Sequence, residues 1–277
     1  MLPVSNTAYF CCGIRCEDER SKAPIVNDIY AKKLMSNEGM NIYHQFKKQK
    51  YANRNILVRH KLIDDMVSSI LSETKDITFI SIGSGLESRS YRMTAGNWVE
   101  IDEHQVIKYK DKYLPHKECK NNLKRIGVDF SINELSAALS SINVLGRVVV
   151  IIEGVFVYLE PRQILNTLKT LKEYFPDHDV ITDFINEDFI NSYSKRFDKG
   201  VNELGAYYSP LKYPESPFID GGYKLKIEKS VTESSAVIYG QYILRGIAKL
   251  FMPNYINGYK VALLSQRKTG DDNAFTG

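Results

Sequence analysis

The stretch 77–102 constrains the fold more than any other part of the chain. A short apolar run, 77–82 (ITFISI), leads directly into the glycine turn 83–85, and a second apolar run, 99–101, ends at Asp102. Short β-branched runs of this kind are typical of strands that are buried on both faces of a parallel sheet. The order therefore predicts a strand, a glycine turn, a helix and a second strand.

The glycine turn and the acid that follows it predict a nucleoside site. Gly83 and Gly85 carry no Cβ, so the backbone there can turn sharply and approach a ligand closely. Asp102 stands where a carboxylate accepts hydrogen bonds from the hydroxyls of a ribose, about 20 residues after such a turn. A dinucleotide site needs a third glycine, and Ser88 stands near its place, so the pattern disfavours NAD and FAD. We therefore expect S-adenosylmethionine at Gly83, Ser84, Gly85 and Asp102, with a glycine turn that binds nothing as the alternative.

Composition excludes several classes of function. The 277 residues are 43% hydrophobic and 25% charged, and a formal net charge of +4 with interspersed signs predicts no nucleic-acid partner. No apolar run approaches the roughly 18 residues of a membrane span, and no signal peptide is visible, so we expect a cytoplasmic protein that does not bind membranes. The histidines and cysteines match no ligand spacing, so we expect free thiols and no metal. The cysteines are Cys11, Cys12, Cys16 and Cys119.

Strands and helices alternate along the chain, which predicts an α/β fold with a Rossmann-like parallel sheet. Further strands are expected at 125–128, 147–152 and 180–184, and helices at 103–113, 132–142 and 161–175. We expect one domain over residues 1–277, divided into a helical cap, a core, a lid with the last strands, and a flexible tail. These parts cover 1–52, 54–184, 185–267 and 268–277.

Three predictions concern the less regular ends of the chain. Within the cap, a helix is expected to begin at Ala23-Pro24 and to end at Gly39. The segment 205–222 is rich in tyrosine, proline and glycine and is expected to form a loop or lid. Two last strands, 223–227 and 259–264, are expected to be antiparallel and to flank a helix over about 238–250.

Acidic residues stand at the carboxyl ends of successive predicted strands. In an open α/β sheet ligands bind outside those ends. The pattern fits a nucleoside, with Asp102 on the ribose, Asp129 on the adenine amino group and Glu153 near the sulfonium or amino end; Phe130, next to Asp129, joins the candidate cofactor residues. Each acid taken singly has an alternative as a helix cap or a solvated loop residue.

Several motifs resemble those of the leucine carboxyl methyltransferase family, over roughly residues 7 to 160. The run 81–92 (SIGSGLESRSYR) looks like that family's Gly-x-Gly-Leu-Asp-Thr-Arg-x-x-Arg motif. Two departures stand out, since Glu87 replaces the usual Asp and no Arg follows Asp129. The other matching segments are Thr7-Ala8, Arg15, Asp28-x-x-Ala31, Arg59 with Asp64-Asp65, Val99-Glu100-Ile101-Asp102 and 152–159 (IEGVFVYL).

The resemblance implies an S-adenosylmethionine-dependent O-methyltransferase. Members esterify the carboxyl-terminal leucine of a protein phosphatase or, in the tetracenomycin type, a carboxylate on a polyketide or other small product. It further implies that Arg15 and Arg59 hold carboxylates, and that Glu153 and Tyr158 lie near the methionine portion or the substrate. Gly83, Asp102 and Asp129 are then cofactor residues.

The predicted function is methyl ester formation on a small-molecule or peptide carboxylate, with Arg59 and Tyr158 as catalytic residues. A carboxylate is already deprotonated at neutral pH, so the reaction needs positioning and removal of water but no general base. An arginine binds a carboxylate with its planar fork and keeps its charge. Phosphatase methylation, a cofactor-binding scaffold without turnover, a nicotinamide-dependent oxidoreductase and a hydroxyl acceptor are the alternatives. The sequence carries no signal for an oligomeric state.

Overall fold

A single sheet organises the described part of the protein, which in this computed structural model is residues 3–130 and 132–266. Its seven strands follow the order β3-β2-β1-β4-β5-β7-β6. The first five strands in this order are parallel, and β7 runs antiparallel to both β5 and β6. The strands are β1 Ile77–Ile82, β2 Asn97–Glu103, β3 Asn122–Val128, β4 Arg147–Ile152, β5 His178–Ile185, β6 Lys224–Ser230 and β7 Tyr259–Gln266.

Helices connect the strands and cover both faces of the sheet. The α-helices are α1 Pro3–Glu19, α2 Asn37–Phe46, α3 Lys50–Glu73, α4 Arg89–Arg92, α5 His104–Tyr113, α6 Ile132–Ser140, α7 Pro161–Tyr174, α8 Glu187–Phe189, α9 Lys195–Glu203, α10 Ser216–Asp220, α11 Val231–Ile238, α12 Tyr242–Phe251 and α13 Pro253–Asn257. A π-helical segment, Ile190–Ser194, joins α8 to α9. None of the helices in the described ranges combines the length and the apolarity that a membrane crossing requires.

The core lies in two layers because side chains alternate across a strand. On β4, Val150 and Ile152 face a layer completed by α6 and α7, whereas Val149 and Ile151 face the layer of α3 and α11. Every residue of β1 is buried, which is why its sequence is a continuous apolar run. The predicted fold class is confirmed, including the antiparallel strands at its C-terminal end.

A third core holds the N-terminal helices against the rest of the molecule. Phe10 of α1 contacts Phe46 of α2 with ring centroids 4.6 Å apart, and it contacts Phe197 of α9 at 5.1 Å. Phe10 and Phe197 also line the main cavity. Helix α1 therefore forms part of that cavity's wall.

The helix predicted from Ala23 to Gly39 is wrong. The carboxylate of Asp18 accepts hydrogen bonds from the backbone N–H groups of Ile25, Val26 and Asn27, which holds the segment as a loop. Side-chain acceptors of this kind compete with the helical hydrogen-bond ladder. The helix begins instead at Asn37, after a cap in which Ser36 Oγ accepts from the N–H of Gly39 at 3.0 Å.

The helix predicted over about 238–250 is present as α12, but it begins later, at Tyr242, because α11 already ends at Ile238. Gly240 lies between them with a φ of +68°, a left-handed conformation that interrupts a right-handed helix. The predicted flexible tail, 268–277, lies outside the described residues.

Candidate active site

The main cavity lies at the carboxyl ends of the central strands and has a volume of about 580 Å³. The strand order reverses between β1 and β4, and this switch point is where open α/β sheets bind ligands. The volume falls within the range of small-molecule sites, about 300–1,000 Å³. Nine of the ten predicted site residues line the cavity: Arg15, Arg59, Gly83, Ser84, Gly85, Asp102, Phe130, Glu153 and Tyr158.

The glycine turn after β1 forms one wall of the cavity. Gly83 has a φ of +67°, and a Cβ at this position would lie 2.4 Å from Cγ2 of Val155. Its N–H donates to the carbonyl oxygen of Ile101 at 2.9 Å, which joins the turn to β2. Gly85 has a φ of +48° and its N–H donates to Oδ2 of Asp102 at 2.5 Å. The two glycines are thus required by backbone conformation and by close packing.

Asp102 is buried beside this turn and keeps capacity for further hydrogen bonds. Its Oδ1 accepts from the N–H of Glu103 at 2.7 Å. Burial raises the pKa of Asp102 to about 6, because it outweighs the two backbone N–H groups that favour the carboxylate. A carboxylate offers about four acceptor sites, and within the described ranges only two are used, by Gly85 and Glu103. Two donors of a ligand, such as the hydroxyls of a ribose, can therefore be accommodated.

Arg59, on α3, is held by two buried carboxylates. Its Nε donates to Oε1 of Glu153 at 2.9 Å, and its Nη1 donates to Oδ2 of Asp183 at 3.3 Å and to the hydroxyl of Tyr259 at 3.2 Å. Burial alone would lower the pKa of Arg59, but Tyr259, Asp183 and Glu153 raise it well above its ordinary value. In the described part of the chain no oxygen accepts a hydrogen bond from Nη2, and the Cys11 thiol lies against the guanidinium. The guanidinium is permanently charged, fixed in place, and open at one nitrogen.

Gly154 fixes the packing on the other side of this guanidinium. A Cβ on Gly154 would lie 3.0 Å from Nη1 of Arg59, and the residue has a φ of +67°. Its N–H donates to Oδ1 of Asp183 at 2.6 Å. The turn after β4 thus shares Asp183 with Arg59.

A second arginine, Arg89, lies beneath the cavity and completes an ionic network. It donates to Oε2 of Glu153 at 2.6 Å, to Oε2 of Glu87 at 2.5 Å and to Oδ1 of Asp64 at 2.7 Å. Burial alone would raise the pKa of Glu153, but the charges of Arg89 and Arg59 and a hydrogen bond with His60 hold it well below its ordinary value. Glu153 is therefore an anion that these neighbours already neutralise.

The network extends to helix α1. Arg15 Nε donates to Oδ2 of Asp28 at 2.9 Å and its Nη2 donates to the carbonyl oxygen of Leu86 at 2.7 Å. Arg92 Nη1 donates to Oδ2 of Asp64 at 2.7 Å. Arg15 therefore ties α1 to the glycine turn. In all, the network contains the guanidiniums of Arg15, Arg59, Arg89 and Arg92 and the carboxylates of Asp28, Asp64, Glu87, Glu153 and Asp183.

Tyr158 lies in the cavity wall against Tyr208, with ring centroids 5.0 Å apart. Burial raises the pKa of Tyr158 to about 12, with its hydroxyl hydrogen-bonded to Thr7. The hydroxyl is therefore protonated at neutral pH. Of the predicted loop or lid, 205–222, Tyr208 reaches the cavity, whereas Tyr207 and Tyr213 are exposed.

Asp129 is the one predicted site residue that the structure places outside the cavity lining. It follows the edge strand β3 and is exposed, and its N–H donates to Oε2 of Glu134 at 2.7 Å. Candidate ligand atoms of His104, Asp129 and Glu134 lie within 4.8 Å of one another. Phe130 has a φ of +44°, and its ring lines the cavity. The left-handed turn thus separates the two residues, which point to different surroundings.

Sequence reasoning did not select the partners that hold Arg59 and Glu153. Arg89 lies in the motif 81–92 and Asp64 in the motif with Arg59, and these two motifs were the sequence signal for partners of Arg59 and Glu153. Asp183 stands within the fifth strand, where an acid in an apolar run is a recognisable anomaly. Tyr259 is the first residue of β7, and no nearby sequence pattern indicates that it contacts Arg59.

A family model described as leucine carboxyl methyltransferase matches residues 11–172, which is more than half of the chain. The chain therefore belongs to the leucine carboxyl methyltransferase family. The family comprises methyltransferases that use S-adenosylmethionine as methyl donor, so the predicted family and cofactor are confirmed.

Among the proteins that match the chain are one sequence relative and two solved structures of similar fold. The tetracenomycin polyketide synthesis O-methyltransferase TcmP of Streptomyces glaucescens is 22% identical over 121 residues, which are 42% of this chain and 43% of that protein. The chain therefore matches less than half the length of that relative. A DUF574 family protein from Streptomyces avermitilis has a TM-score of 0.63 at 10% identity, covering 90% of this chain and 99% of that one. A putative methyltransferase from Thermobifida fusca has a TM-score of 0.58 at 12% identity, covering 86% and 93%.

Proposed function

We propose that this protein forms a methyl ester on the carboxylate of a small-molecule or peptide biosynthetic product, with S-adenosylmethionine as the methyl donor. The observation that carries the proposal is Arg59, whose guanidinium lines the cavity with Nε and Nη1 anchored and Nη2 open. A fixed, permanently charged donor is suited to orienting a carboxylate. Arg59 is therefore assigned to the acceptor carboxylate, the cofactor carboxylate, or both.

The cavity's residues fit S-adenosylmethionine. Asp102 has two acceptor positions for the ribose hydroxyls, and Gly83 and Gly85 let the backbone approach the nucleoside. Phe130 offers an aromatic face for the adenine. Bound here, the cofactor would supply an electrophilic methyl group on a positively charged sulfur.

The charge beneath the cavity favours a cationic ligand. The network contains four guanidiniums and five carboxylates, and burial together with Arg89 lowers the pKa of His60, so this imidazole adds no charge near neutral pH. With all five carboxylates ionised the network carries one negative charge in excess, although burial raises the pKa of Asp183. Because the network is buried, its attraction for a cation is screened less than that of a surface group.

The remaining side chains favour a carboxylate as acceptor over a hydroxyl. A carboxylate needs no proton removed, whereas a hydroxyl needs a base within hydrogen-bond reach. His60 Nδ1 lies 2.7 Å from Arg89 and 3.1 Å from Glu153, so this nitrogen is engaged in the network. Tyr158 stays protonated at neutral pH because burial raises its pKa to about 12. Phe10 and Phe197 supply apolar walls that exclude water from the nucleophile.

Base-labile methyl transfer tests this proposal. The protein would be incubated with methyl-tritiated S-adenosylmethionine and a panel of aromatic acids, aliphatic acids and peptides that end in leucine. Alkali releases methanol from a methyl ester but not from a methyl ether. We expect volatile label with at least one carboxylic acid and none with the matching primary amide. Label that survives alkali would contradict the proposal and indicate a hydroxyl acceptor, and label on leucine-ending peptides alone would indicate protein methylation.

A further inference from the structure

A second cavity, of about 290 Å³, lies apart from the proposed cofactor residues. It is enclosed by the N-terminal part of α3, by α8 and the π-helical segment, and by α11, α12 and α13. Leu244 and Ile247 of α12 line it while remaining 53% and 49% exposed. The cavity is therefore reachable from the surface beside α12.

Aromatic rings form one wall of this second cavity. Phe189 and Tyr255 lie with centroids 6.0 Å apart and an interplanar angle of 23°, and Tyr193 meets Tyr255 at 5.0 Å and 72°. Parallel and edge-on faces together are the arrangement that flat aromatic molecules favour. The lining is thus suited to a planar, largely apolar occupant.

Asn55 hydrogen-bonds Tyr255 through its side chain but supplies one acceptor, Oδ1, that needs a partner. The residue is only 5% exposed, lines the second cavity, and its Oδ1 is buried without a hydrogen-bond partner in the described residues. Buried acceptors without a partner are rare because each one loses its hydration without compensation. An N–H or O–H donor on an occupant would satisfy this oxygen.

The charged residues of the lining are engaged elsewhere. The guanidinium of Arg54 lies over the ring of Tyr239, 4.4 Å from its centroid. Arg245 pairs with Glu233, to which its Nε donates at 2.9 Å. The recognition signal in this cavity is therefore the aromatic wall together with Asn55.

We propose that the second cavity binds a flat aromatic molecule of about two fused rings that donates a hydrogen bond to Asn55. An apolar cavity of about 150 Å³ holds one benzene, so roughly twice that volume corresponds to two rings. The proposal does not depend on the methyl transfer reaction, because neither cavity contributes a lining residue to the other.

Indole and benzofuran form a matched pair of probes, since they share shape and differ in the N–H donor. Their affinities would be measured by calorimetry with the full chain. We expect indole to bind about tenfold more tightly than benzofuran, the effect of satisfying one buried acceptor. Asn55→Leu should bring both affinities to the same value. Ala236→Phe, which fills the lining, should abolish both.

Two controls locate the probe. Asn53→Leu lies on the same helix outside the cavity lining and should leave the indole affinity unchanged. Saturating S-adenosylhomocysteine should also leave it unchanged, since the proposed cofactor cavity is separate. Equal binding of the two probes to the unmodified protein, absence of indole binding, or indole binding that survives Asn55→Leu or Ala236→Phe would overturn the proposal.

Discussion

Replacing Arg59 with alanine should destabilise the protein as well as abolish methyl transfer. Arg59 is 9% exposed and pairs with Glu153 and Asp183. Glu153 would keep Arg89 at 2.6 Å, but Asp183 would keep the N–H of Gly154 and lose its cation. Removing one partner of a buried ion pair typically costs about 3–5 kcal/mol. The two buried ion pairs therefore lead us to expect a much less stable protein.

A double-mutant cycle in urea measures this effect. The free energy of unfolding would be determined for the unmodified protein, Arg59→Ala, Asp183→Asn and the double variant. Asp183→Asn removes the charge that Arg59→Ala leaves unpaired, so we expect a coupling energy of about 1–3 kcal/mol. Arg162→Ala, at an exposed arginine of α7, serves as the control and should change stability by less than about 0.5 kcal/mol. An Arg59→Ala variant within about 1 kcal/mol of the unmodified protein, or a cycle without coupling, would refute the reasoning.

Three further variants test the cavity wall. The pKa of Asp102 is raised from 3.8 to about 6, so the protonated side chain contributes about 3 kcal/mol to stability below pH 3.8. This contribution is lost as the pH rises through 6. The urea midpoint of Asp102→Asn, measured between pH 4 and 7, should lack this loss. Gly83→Ala forces a Cβ to within 2.4 Å of Val155 at a φ of +67°, so we expect a lower melting temperature and weaker S-adenosylhomocysteine binding by calorimetry. Tyr158→Phe removes the hydroxyl that meets Thr7, so kcat should fall while S-adenosylhomocysteine affinity stays constant; unchanged kcat would remove Tyr158 from the site.

The strands that were predictable from the sequence are those that are buried on both faces. The predicted bounds of β1 and β4 agree with the structure, because a strand buried on both faces reads as one apolar run. The segment 23–39 failed because its hydrogen bonds go to Asp18, a partner that no local pattern reveals. The helix over 238–250 was predicted with too early a start, because a single left-handed glycine, Gly240, separates α11 from α12 within an otherwise helical composition.

The candidate site also contains residues that the sequence predicted and residues that it did not. The glycine turn and Asp102 were predictable because their spacing follows from one strand, one turn and one helix. The partners of Arg59 were not, since Asp183 and Tyr259 lie 124 and 200 residues away along the chain. Asn55 also had no signal, because its role depends on helices that converge only in the folded protein.

Calorimetric titration with S-adenosylmethionine, S-adenosylhomocysteine and NAD tests the central claim most directly, because it requires no knowledge of the acceptor. We expect micromolar binding of both sulfur nucleosides and no binding of NAD. Affinity for S-adenosylhomocysteine should also weaken below about pH 6, where Asp102 takes up a proton and can no longer accept from both ribose hydroxyls. Absence of binding by both sulfur nucleosides, or equal binding of NAD, would contradict the assignment of the cavity at β1 and β4 to the methyl donor.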